Sequence, residues 1–183
     1  MSNRLSIEID KKKSEKDFFI EVNMDVCWWA SLETDTILEL AYILSEKAII
    51  VWNNYIFQGE LADKLNSLKS LPANALHAIG NAINEKEERM NDLHLNKFFR
   101  SFVTPVIQFQ DGDLNIPYEV KSAFLSVFYI LKGMLSVRNP FIATHCFSSS
   151  ITRSFDAIKI SNVFTNKEIS MLTQKYLLLS AKR

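Results

Sequence analysis

Four glycines and four prolines in 183 residues leave this chain few places to reverse direction. That is about a third of average usage, too sparse for the turns of a many-stranded sandwich or barrel. Apolar residues recur instead at helical spacing. Val120, Ala123, Phe124, Val127, Phe128, Leu131, Met134 and Leu135 draw one stripe along a long helix, with Pro117 placed to open it. This is the cleanest such pattern in the chain, and it is expected at the centre of the fold. The expected class is mainly α, a single helical domain of about six to eight helices with a small N-terminal β-hairpin.

The hairpin is read from period-2 alternation. Leu5, Ile7 and Ile9 alternate with polar residues, and after the charged connector at residues 10–17 the alternation resumes at Ile20, Val22, Met24 and Val26. Two strands alone are marginal in water, so this element over residues 1–28 must pack on something else, here the helical body over 34–183. Both belong to one domain spanning 1–183, whose 13 Phe and 48% hydrophobic residues supply an ample core. The Lys11–Lys13 run at the hairpin tip reads as a solvated loop.

Thr36 and Glu39 have capping-box spacing and open the run Leu40, Ile43, Leu44, Ala48, Val51. Residues 48–57, rich in β-branched and aromatic side chains, fit either a second helix or a buried strand. Leu61, Leu65 and Leu68 mark a helix that Pro72 ends, and Leu76, Ile79, Gly80 and Ile83 mark the next. Leu95, Phe98, Phe99 and Phe102 share a helical face that Pro105 limits, and Asp111-Gly112 reads as the turn of a second small hairpin within residues 106–116. Asn139-Pro140 breaks the central helix, and Ser148–Ser150 reads as a connector. Thr165 with Glu168 caps a last helix carrying Ile169, Leu172, Tyr176 and Leu179.

Several chemistries lack their signatures. Gly59, Gly80, Gly112 and Gly133 are too scattered to cradle a phosphate. His145 and Cys146 are adjacent, while Cys27, His77 and His94 stand apart, so paired zinc ligands are missing. No serine sits in a Gly-x-Ser-x-Gly context. Neither a metal nor a cofactor is expected. Two cysteines make no disulfide framework. The start of the chain lacks a leader-like apolar stretch, and the most apolar region, residues 37–57, is interrupted by Glu39, Glu46 and Lys47. A cytoplasmic protein that does not enter a membrane is expected.

The net charge is zero but unevenly spread. Residues 1–119 carry 12 Lys and Arg against 19 Asp and Glu, and residues 120–183 carry 9 against 2, which by subtraction is −7 and +7. Between Phe18 and Glu46 the chain has Glu21, Asp25, Glu33, Asp35, Glu39 and Glu46 and no Lys or Arg. On a shared surface these carboxylates favour a cationic partner; the plainer alternative is that the acidic and basic parts fold together and cancel. Trp28 and Trp29 beside them offer an aromatic anchor for an interface, or else one core tryptophan and one covered by a helix.

One local pattern compares with a known family. Arg138-Asn-Pro-Phe-Ile-Ala-Thr-His145 resembles the Arg-x(4–6)-His motif of HEPN domains, helical nucleases. The resemblance covers these eight residues and implies that Arg138 and His145 act together on an RNA phosphate, usually in a dimer. Two expectations of different kinds follow. The leading one is a non-enzymatic immunity-type inhibitor that blocks a toxin domain, a cationic nuclease being the natural target, through Glu21, Asp25, Trp28, Trp29, Glu33, Asp35 and Glu39. The other is a HEPN-like ribonuclease or toxin using Arg138 and His145, the one case in which nucleic acid is a partner.

Overall fold

A computed structural model describes residues 32–58, 62–84, 93–112, 114 and 116–171. Over these the protein is mainly helical, with 82% of positions in helices and no strand. The hairpin expected over 1–28 and the last helix beyond Met171 lie outside the described residues. Six helices are labelled here in chain order: α1 Thr34–Asn54, α2 Ala62–Ser67, α3 Leu71–Asn84, α4 Leu93–Asp111, α5 Tyr118–Met134 and α6 Pro140–Ile160. All six fall in one compact unit spanning Cys27–Phe164. Residues 165–171 belong to a second unit, where Thr165 and Glu168 form the expected capping box. The Glu168 N–H donates to Thr165 Oγ1 at 3.3 Å and the Thr165 N–H donates to Glu168 Oε2 at 2.8 Å.

The stripe read as α5 forms the core, and it is buried on nearly every side rather than on one. Val120, all of residues 122–128, Ile130, Leu131, Gly133 and Met134 are buried. Phe124 is the meeting point of three elements, with ring centroids 4.8 Å from Trp52 of α1 and 4.5 and 5.1 Å from Phe102 and Phe109 of α4. Burying a ring of this kind contributes about 1.5–3 kcal/mol, and each aromatic pair roughly another 0.5–1.5 kcal/mol. Tyr118 meets Asp156 while Gly133 abuts Phe147, so α5 and α6 run antiparallel. Thr34 pairs with Thr144 and Ser45 with Ser154, so α1 lies parallel to α6.

The serine-rich segment is not a connector. Ser148–Ser150 lie in the middle of α6, whose start is capped by Asn139 accepting from the Ile142 N–H, with Pro140 in the first turn where it costs no hydrogen bond. Serine competes with helix when its hydroxyl seeks backbone elsewhere, and here the hydroxyls of Ser149 and Ser150 are occupied within the bundle. Ser149 donates to the His145 carbonyl at 2.9 Å, and the buried Ser45 Oγ lies 3.2 and 3.1 Å from those of Ser150 and Ser154. Small polar side chains thereby let α1 and α6 approach closely.

Other local signals were overridden by burial. The second hairpin is absent, because α4 continues through Pro105 to Asp111. A proline inside a helix costs about 3 kcal/mol, but Phe102, Val106 and Phe109 are all buried along the same face, and stopping the helix at Pro105 would forfeit the last two. Gly112, at φ 82°, is what ends it. The helix at Thr36 begins two residues early. Glu33 is its N-cap without a side-chain cap bond, so Thr36 and Glu39 do not form the box. Residues 48–54 simply continue α1, since Ala48, Ile49, Val51 and Trp52 pack inward. Lys69 closes its C-terminus, donating to the carbonyls of Trp52, at 2.8 Å, and Tyr55, while Trp52 Nε1 donates to the Lys69 carbonyl at 3.0 Å. Pro72 sits buried in the first turn of α3, beyond the end of α2 at Ser67.

Candidate functional site

The outward side of α1 is acidic. Asp35, Glu39 and Glu46 are exposed, and their i, i+4, i+11 spacing places them along one edge, spanning roughly 16 Å of helix axis. The opposite side is held inward by Ile37, Ala41, Leu44 and Ala48, each fully buried. Glu33 is exposed at the N-cap, and Asp35 in the first turn also complements the helix dipole. Tyr42 sits on the same edge, half-buried, and donates to Glu46 Oε1 at 3.0 Å. Burial, reinforced by that carboxylate, holds its phenol up to about 12. Glu21, Asp25, Trp28 and Trp29 lie outside the described residues.

Arg138 and His145 are both exposed at the start of α6. Arg138 precedes the N-cap and His145 lies in the second turn, seven positions on, which is close to two turns or roughly 10 Å along the axis. Pro140 opens this helix and so does not interrupt it. The neighbouring Cys146 points into the core, where burial pushes its thiol up against a smaller opposing pull from Lys132, a setting for an inert thiol rather than a nucleophile.

Two arrangements escaped the sequence pattern. His77 and His94, seventeen residues apart, line one groove between α3 and α4 with Asn74, Asn81 and Phe98. A signal was available on α3, where Asn74, His77 and Asn81 recur at i, i+3 and i+7 among apolar residues. At the junction of α5 and α6, Arg153 Nη1 donates to the Tyr118 hydroxyl at 2.8 Å, and that hydroxyl donates to Asp156 Oδ2 at 2.7 Å. Burial and Asp156 together raise the Tyr118 phenol. Nothing local linked residues 35 positions apart. Among the described residues no group of three or more His, Cys, Asp and Glu side chains is placed to hold a metal ion.

The fold thus defines a mainly helical bundle built around one buried helix, and among the described residues no helix is long and apolar enough to cross a membrane. No family model, curated protein or solved structure matches the chain.

Proposed function

We propose that the protein is a non-enzymatic binding protein, concretely an immunity-type inhibitor that occludes a cationic toxin domain in the cytoplasm with the outward side of α1. The observation that carries this reading is the alignment of exposed Asp35, Glu39 and Glu46 on one edge of a helix whose other side is anchored in the core. Carboxylates held on one rigid edge raise the local negative potential and speed encounter with a basic surface. Glu33 extends that edge at the N-cap, and Glu21, Asp25, Trp28 and Trp29 would add charge and an aromatic anchor.

Affinity capture from the native host, followed by stopped-flow association with the captured protein, tests this. A basic partner is expected, with an association rate that falls steeply as salt rises and falls again in an Asp35→Asn, Glu39→Gln, Glu46→Gln variant. Association that ignores both salt and the three substitutions would sink the proposal.

A second reading, a HEPN-like ribonuclease, is favoured by one specific observation. Arg138 and His145 are exposed together at one helix start, with Pro140 opening that helix rather than breaking it. There Arg138 would stabilise charge on a phosphate and His145 would move a proton. Degradation of RNA by the purified chain, abolished in His145→Ala, supports it; an inert wild type rejects it.

A further inference from the structure

The groove between α3 and α4 has a volume of about 390 Å³, and among the described residues its lining has no carboxylate. That volume lies in the range small organic ligands occupy. One wall is flat, since the rings of His94 and Phe98 stack with centroids 5.1 Å apart and planes within 10°. The other wall is polar. Asn74, His77 and Asn81 bring amides and an imidazole, which both donate and accept hydrogen bonds. On the next flank of α4, Lys97 and Arg100 line a second depression of about 550 Å³, whose lining among the described residues is also without a carboxylate. Lys97 lies one turn from His94, so the cationic flank adjoins the aromatic wall.

A flat ring surface, mixed donors and acceptors opposite it and two cations alongside are what a planar heteroaromatic anion requires. We propose that this groove binds a nucleoside phosphate, its base against the His94 and Phe98 rings, its edge read by Asn74, His77 and Asn81, and its phosphate met by Lys97 and Arg100. The ligand is either a free nucleotide or one unit of a single strand. This site is separate from the carboxylates of α1 and does not rest on their role.

The test is NMR titration of the full chain with adenosine monophosphate, adenosine and inorganic phosphate. Adenosine monophosphate is expected to shift the ring signals of His77 and His94 and to leave those of His145 in place. His94→Ala should weaken both adenosine and adenosine monophosphate by about five-fold or more, the loss expected of one stacking face. A Lys97→Ala, Arg100→Ala variant should weaken adenosine monophosphate and leave adenosine unchanged. Both variants alter exposed positions, and unchanged thermal melts confirm that they fold. A short oligoadenylate that binds more tightly, with strong salt dependence, identifies a strand as the source; equal affinity identifies the free nucleotide. The proposal is overturned if millimolar adenosine monophosphate moves neither imidazole, if His94→Ala binds as the wild type does, or if inorganic phosphate alone reproduces the shifts.

Discussion

Gly133→Ala should be the most damaging single-methyl change in the bundle. A Cβ on Gly133 of α5 would fall against Cε1 of Phe147 on α6, and 2.6 Å from its Cδ1. Phe147 is fully buried and cannot swing into solvent, so either the ring leaves its rotamer or the two helices separate. Overpacking of this kind costs about 1–3 kcal/mol, and the direct ring contact puts it near the upper end. Alanine recovers about 1 kcal/mol of helix propensity, leaving a net loss of about 2 kcal/mol. For a chain of this length that lowers the melting temperature by about 4–8 °C.

Two other glycines calibrate the result. Gly80→Ala brings its methyl 2.6 Å from the Tyr42 hydroxyl, the far end of a half-buried side chain that can move outward, so helix propensity should leave it near neutral. Gly112→Ala meets no atom within 4 Å but must hold a φ of 82°, at a cost of about 1 kcal/mol. Urea unfolding should therefore rank the variants Gly80→Ala, Gly112→Ala, Gly133→Ala in falling stability. Phe147→Leu should absorb part of the Gly133→Ala loss, so that the double variant is more stable than the two separate losses imply. A Gly133→Ala protein as stable as the wild type would refute the close packing of α5 on α6.

Ser45→Ala removes the hydroxyl shared by Ser150 and Ser154 at the α1–α6 interface and should cost about 1–2 kcal/mol in urea unfolding; no loss would show that those hydroxyls find equal partners elsewhere. Tyr42 has a phenol raised in the folded state from 10.0 to about 12, so its contribution is fully present below pH 10 and is lost as pH rises through about 12. Unfolding compared at about pH 8 and about pH 11 should then show a smaller alkaline loss in Tyr42→Phe than in the wild type. An identical loss in both would assign the alkaline sensitivity to other groups.

What the sequence made legible followed from whether a local pattern and its burial agreed. The helical period of Val120–Leu135 reports a buried stripe, and α5 is where that pattern places it. The Thr165–Glu168 box is a contact between residues three apart and needs no tertiary support to be read. Pro105 and Ser148–Ser150 misled because each carries a local cost that distant partners offset, the rings around Phe124 in one case and Ser45 in the other. The acidic edge of α1 was partly legible, since Asp35 and Glu39 lie one turn apart. The groove of His77 and His94 was not, because its two walls come from different helices and neither wall is distinctive alone.

Several of the chain's cations are engaged away from the acidic edge of α1. Three of the basic side chains are engaged by groups of the bundle itself. Lys69 donates to the carbonyls at the end of α1, Lys121 to the Phe109 carbonyl at 2.7 Å near the end of α4, and Arg153 to the Tyr118 hydroxyl. A helix C-terminus carries only a partial negative charge, so a lysine placed there stabilises the helix yet neutralises no carboxylate. Arg153 does meet an acid, but the partner is Asp156 of its own helix, 3.8 Å away, not a carboxylate of α1. These three engagements do not involve Glu39 or Glu46. Their like charges share a helix side that faces water, where salt screens them, and a partner bringing lysines or arginines to that side would gain most at low ionic strength.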